Sequence, residues 1–111
     1  MSRYAPEWQD ICALNDLSPD CGVCALLDNK QVAIFYLSNG DLYAISNHDP
    51  LGKANVMSRG LIADINGIAT VSSPLYRHHY RLDSGQCLQD DSICVPTYPV
   101  RAVDGRVQLQ H

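Results

Sequence analysis

Hydrophobic and polar positions alternate in short runs along this chain, and pairs of turn-forming residues separate the runs. Gln31-Val32-Ala33-Ile34-Phe35-Tyr36-Leu37, Asp41-Leu42-Tyr43-Ala44-Ile45 and Arg106-Val107-Gln108-Leu109 are rich in β-branched and aromatic side chains, which suit a pleated, half-buried surface. Between such runs stand Asp28-Asn29, Asn39-Gly40, Asn66-Gly67, Ser84-Gly85 and Asp104-Gly105. Asn-Gly and Asp-Gly tolerate the positive φ of type I′ turns, whose twist matches that of the strands they join. The pattern therefore predicts five hairpins. The runs are too short for helices, and only residues 14–19 and 57–61 have room for a helical turn. The expected fold is all-β, a small antiparallel barrel or sandwich.

Two segments break the strand pattern. Residues 46–59 and 73–78 each carry a proline, Pro50 and Pro74, where a central strand would need a backbone donor. They are expected to be loops on a rigid β scaffold, the places where binding and chemistry collect. No repeat, low-complexity tract or linker interrupts the chain, and 111 residues suit one domain spanning residues 1–111.

Composition narrows the function classes. Hydrophobic residues make up 46% and charged residues 18%, an ordinary globular balance. A formal net charge of -4 argues against a nucleic-acid partner, which would call for an excess of Lys and Arg. No apolar run approaches the roughly 18 residues that span a bilayer, and no apolar stretch follows Arg3 to form a signal peptide. A cytoplasmic protein without a membrane partner is expected. The five cysteines, odd in number and unevenly spaced, read as structural or free thiols rather than a disulfide framework.

Candidate chemistry is sparse. Cys21-Gly22-Val23-Cys24 has CxxC spacing, but Cys87 and Cys94 are not paired as a second zinc knuckle. The run after Gly22 also looks like a strand entering the core, not the helix a redox pair would open. Adjacent residues on extended backbone face opposite ways, so His78 and His79 are not expected to close on one metal ion. Asp49 stands near Arg59 and Arg77 in or beside the two loops, where two readings stand side by side: a partly buried Asp–Arg pair that ties the loops, or an unpaired, solvated carboxylate. Nothing in the sequence activates a nucleophile, and no catalytic residue is expected.

The two loops carry the identification. Tyr43-Ala44-Ile45-Ser46-Asn47-His48-Asp49-Pro50-Leu51, Ser73-Pro74-Leu75-Tyr76-Arg77-His78-His79-Tyr80 and the continuation Leu82-Asp83-Ser84-Gly85-Gln86-Cys87-Leu88 resemble the cluster loops of Rieske iron–sulfur domains. Those loops read Cys-x-His and Cys-Pro-x-His-Gly. The resemblance implies a Rieske-like small barrel or sandwich with two apical loops. It puts Asn47, Asp49, Ser73 and Tyr76 at the four ligand positions and Tyr80 at the following aromatic. None of the four offers a thiolate or an imidazole, so no cluster and no other cofactor is expected on this chain.

With Trp8-Gln9-Asp10-Ile11-Cys12, Ser58-Arg59-Gly60-Leu61-Ile62 and Val107-Gln108-Leu109, the likeness extends over nearly the whole chain. In this form it is similar to the small subunits of bacterial NAD(P)H-dependent assimilatory nitrite reductases. That resemblance implies an accessory subunit in nitrate and nitrite assimilation, whose large-subunit partner carries FAD, siroheme and an iron–sulfur cluster and reduces nitrite to ammonium. The loop tips would then face the partner, with His48, Lys53, Arg59, Arg77 and His78 as the expected interface. The rival readings are a Rieske-type ferredoxin that carries electrons and a stand-alone interaction module.

Overall fold

The structure, a computed structural model, describes residues 7–75 and 77–110. Tyr76 lies outside the described residues. The described chain runs through β1 (Gln9–Ala13), β2 (Cys21–Leu27), β3 (Lys30–Tyr36), β4 (Leu42–Ser46), β5 (His48–Asp49), β6 (Ala54–Asn55), β7 (Leu61–Ile65), β8 (Ile68–Ser72), β9 (His79–Arg81), β10 (Val100–Val103) and β11 (Arg106–Leu109). Single 3₁₀ turns stand at Leu14–Asp16 and Met57–Arg59, inside the two stretches expected to hold a helical turn.

The turn pairs do the work expected of them. Asp28-Asn29 joins β2 to β3 with φ of 50° and 68°, Asn66-Gly67 joins β7 to β8, and Asp104-Gly105 joins β10 to β11, all in the left-handed region. Asn39-Gly40 lies between β3 and β4, with φ of 96° at the glycine. The Ser84-Gly85 turn returns the chain so that Cys87 bridges Tyr80. Gly85 combines a φ of 79° with an approach in which a Cβ would lie 1.8 Å from the Val95 carbonyl oxygen, so no other residue fits there.

Three antiparallel sheets, ordered β1-β11-β10, β2-β3-β4 and β7-β8-β9, and the small pair β5-β6 form the all-β frame, and they do not close into a barrel. β3 is the central strand of the central sheet and is buried on both faces. Val32 and Ile34 pack with Leu27, Val107 and Leu109 on one side. Ala33 and Phe35 pack with Met57, Val71, Tyr80 and Val95 on the other. This explains why residues 32–35 form a continuous apolar run instead of alternating: each face has its own core.

Two expectations need revision. β2 enters the core along one face only: Leu27 is buried in it and Val23 and Ala25 pack against it, but β2 is the outer strand of its sheet and Cys21 and Cys24 are exposed. The apolar character of residues 23–27 signals packing at the edge of a sheet, which sequence alone does not separate from a central strand. The first loop is also more structured than a plain loop, since β5 pairs with β6 in the register His48↔Asn55 and Asp49↔Ala54. Residues 73–78 carry no strand among the described positions, as expected.

Candidate functional site

Both loops rise from the ends of well-anchored strands. The first leaves β4 and is pinned at once by Asn47, which is 2% exposed. Its amide nitrogen donates to Gln31 Oε1 at 3.0 Å and to the Asn55 carbonyl at 3.1 Å, and lies 3.5 Å from Cys24 Sγ. Its side-chain oxygen accepts the Ser58 backbone N–H at 2.7 Å, and its backbone bonds Gln31 and Met57. An asparagine can meet so many partners because it carries donors and acceptors on one short side chain. This residue, which the sequence resemblance sets at a ligand position, holds β3, β6 and the 3₁₀ turn together.

Asp49 and Ser73 close the seam between the loops. Asp49 is wholly buried and Ser73 nearly so. The Ser73 hydroxyl donates to Asp49 Oδ2, and Asp49 Oδ1 accepts the Leu51 N–H at 2.9 Å. Burial raises the Asp49 pKa, but the Ser73 hydroxyl, the Gly52 and Leu51 amides and the His48 charge outweigh it, and the carboxyl ends below its ordinary value. The expected Asp–Arg tie is not formed: among the described residues Asp49 makes no salt bridge with Arg59 or Arg77. A serine across the seam does that job, and a buried carboxylate with several donors has no need of a guanidinium. Gly52 lets the loop tips meet, because a Cβ there would lie 2.3 Å from Leu75 Cδ1 and 3.0 Å from Asp49 Oδ2. Beneath them Tyr80 is wholly buried, with no hydrogen-bond partner for its hydroxyl. Burial first, then the nearby Asp49 and Cys87, push its pKa up to about 12.

A Rieske [2Fe–2S] cluster needs two thiolates and two imidazoles. The three described ligand positions offer an amide, a hydroxyl and a carboxylate, all buried, and two of them bond each other. These residues do not fit the group. Among the described residues no three histidine, cysteine or acidic side chains converge on a possible metal site.

The outer rim differs in character. Arg59 ends the 3₁₀ turn, and Arg77 is held at φ 59° by the bond from its N–H to the Ser73 carbonyl. Both are exposed, and among the described residues neither forms an ion pair. Together with Leu61, Pro74 and His79 they line a recess of about 350 Å³. Lys53 and His48 are exposed on the first loop, where His48 Nδ1 lies 3.4 Å from Asn55 Oδ1. The Asp90 carboxyl is lowered mainly by Ser92 and to a lesser degree by the charge of His78. The structure thus gathers Arg59 and Arg77 at one recess and leaves Lys53, His48 and His78 outside its lining.

Sequence reasoning missed Leu61, which it placed in a helical turn, although Gly60 was the available signal. A Cβ at residue 60 would lie 2.4 Å from the Ser72 carbonyl, so the glycine lets the Arg59 corner rest against β8. All five cysteines are free; Cys87 is buried and Cys12 half-buried, while Cys21, Cys24 and Cys94 are exposed, which narrows the structural-thiol expectation to the first two.

Comparison with known proteins agrees with this geometry. Residues 7–110 match the family of Rieske-like [2Fe-2S] domains. A nitrite reductase (NADH) small subunit from Escherichia coli is 47% identical over 105 residues, covering 94% of this chain and 97% of the relative. A crystal structure described as an NADH-dependent nitrite reductase small subunit from Mycobacterium tuberculosis superposes with a TM-score of 0.93 at 42% identity, covering 96% of each chain. A nitrite reductase [NAD(P)H] large subunit from Klebsiella oxytoca is 37% identical over 100 residues, which are 90% of this chain and 10% of that one.

Proposed function

The chain belongs to the Rieske-like domain family and, within it, to the nitrite reductase small subunits, and from that premise we propose that it is a single-domain accessory subunit that docks on a nitrite reductase large subunit. The observation that carries the docking is the Klebsiella polypeptide, in which a domain of this kind is part of the large subunit itself. A domain that occurs both fused to a catalytic chain and as a separate chain has that catalytic chain as its natural neighbour. The reaction, nitrite to ammonium with electrons from a nicotinamide nucleotide in nitrate and nitrite assimilation, then belongs to the partner with its FAD, siroheme and iron–sulfur cluster. No helix among the described residues is long and apolar enough to cross a membrane, which suits assembly in the cytoplasm.

In this reading the chain binds no cluster of its own and supplies no catalytic residue. Asn47, Asp49 and Ser73 have become the scaffold that keeps the two loop tips in place without iron. The tips and their flanks, with His48, Lys53, Arg59, Arg77 and His78, form the docking face. Charge complementarity at such a face sets registry and association rate.

The experiment titrates the wild type, Arg77→Glu and Arg106→Glu onto the purified large subunit. Arg77→Glu should weaken binding while Arg106→Glu, beside the remote β10–β11 turn, should not. The reverse order would put the docking face at the other end of the domain. Anaerobic purification should yield a colourless protein without iron, and stoichiometric iron and sulfide would return the chain to the electron carriers.

A further inference from the structure

The recess at the base of the second loop is built for something the chain itself does not supply. Its walls hold Arg59 and Arg77, two cations that form no ion pair among the described residues of a chain whose net charge is -4; Ser73, also in the lining, is engaged by the buried Asp49 behind it. A further polar group, His79 Nδ1, is buried there without a hydrogen-bond partner. Buried polar atoms are normally paired, so an orphan beside two unpaired guanidinium groups marks a place where an acceptor belongs. The mouth is apolar. Leu61, which lines it, is 75% exposed, the most exposed of the large hydrophobic side chains among the described residues.

Resting on the docking reading above, we propose that this recess is the centre of the interface and receives an Asp or Glu side chain, flanked by an apolar residue, from the surface of the large subunit. The carboxylate lies between Arg59 and Arg77, whose forked donors match its two oxygens. His79 is the remaining hydrogen-bond partner, and Leu61 covers the apolar neighbour. A free small anion would use the arginines but leave Leu61 in water. At about 350 Å³ the recess is at the lower end of the roughly 300–1,000 Å³ typical of ligand pockets. That suits one or two protein side chains and not a nucleotide. Charged and apolar anchors packed side by side are the usual composition of an interface hot spot.

The test titrates the full chain and its variants onto the purified large subunit over a range of salt concentrations. Arg59→Gln, Arg77→Gln and Leu61→Gln should each weaken binding by about tenfold or more, with unchanged melting curves because all three side chains are exposed. The two arginine variants should also flatten the salt dependence. Arg77→Lys should recover only part of the loss, since it keeps the charge without the fork. Leu26→Gln, at another exposed leucine far along β2, should bind like the wild type. If the wild type binds and the three recess variants bind equally well, the recess is not the contact and this inference fails while the subunit reading stands. If the wild type does not bind at all, the subunit reading fails and takes the inference with it. If sodium nitrite, against matched sodium chloride, shifts the Arg59, Arg77 and His79 resonances of the isolated chain at low millimolar concentration, the recess is a small-anion site and the docking inference is overturned.

Discussion

The loop end of this domain has an inside and an outside that follow opposite rules. Inside, Asn47, Asp49 and Ser73 are buried and bonded to one another's loops or to the strands beneath. Outside, Arg59, Arg77 and Leu61 are exposed and, among the described residues, without ionic partners. The other arginines among the described residues are engaged: Arg81 pairs Asp83, Arg106 pairs Asp10, and Arg101 lies 4.2 Å over the Trp8 ring and bonds Gln108. The polar groups that hold the loops are satisfied within the fold, the Tyr80 hydroxyl excepted, whereas the two rim arginines form no ion pair among the described residues. The contrast separates residues that hold the loops from residues that use them.

The largest expected effect is on the inside. Asn47→Ala removes the acceptor of the Ser58 N–H and the donor to Gln31 and Asn55, and leaves buried groups unpaired. A loss of about 3 kcal/mol is expected, read as a lower urea midpoint with an unchanged slope. A loss within error would mean that water replaces Asn47 and that the inside is less closed than its hydrogen bonds indicate.

Next is the seam, through its pH dependence. The Asp49 carboxyl is more acidic in the folded chain than its ordinary value of 3.8. The folded state therefore gains from its ionisation: the gain is complete above that value and is lost as the pH falls through the lower folded pKa. Asp49→Asn should be less stable than the wild type at pH 7, and the difference in melting temperature should shrink steadily as the pH is lowered below about 4. A difference that stays constant across this range would show that the seam depends on shape and not on charge.

The smallest effect on stability is expected at the rim, where it sharpens the comparison most. Arg59→Gln and Arg77→Gln together should leave the thermal midpoint of the isolated chain where it is, since exposed side chains without partners contribute little to the folded state. A clear fall would show that these arginines have structural partners after all and would erase the distinction between the two regions.

Much of this was legible in the residues themselves. Asn66-Gly67 and Asp104-Gly105 fold as hairpin turns because positive φ is a local property of those residue types. The unsuitability of Asn47, Asp49 and Ser73 for iron and sulfide ligation is likewise a matter of side-chain chemistry, and the order of the loop motifs along the chain was enough to suggest the family. The tertiary structure alone decided who meets whom. Asp49 and Arg59 stand ten positions apart and looked like partners, yet the carboxylate bonds Ser73, which is 24 positions away. β2 reads as a strand entering the core, and its Leu27 does enter, but Cys21 and Cys24 stand exposed because β2 is the outer strand of its sheet. Leu61 is exposed and His79 Nδ1 is buried because β7 and β9 meet the second loop at that corner. Residue type sets which dihedrals and bonds are available, whereas burial and pairing depend on distances between segments far apart in the chain, which only packing brings together.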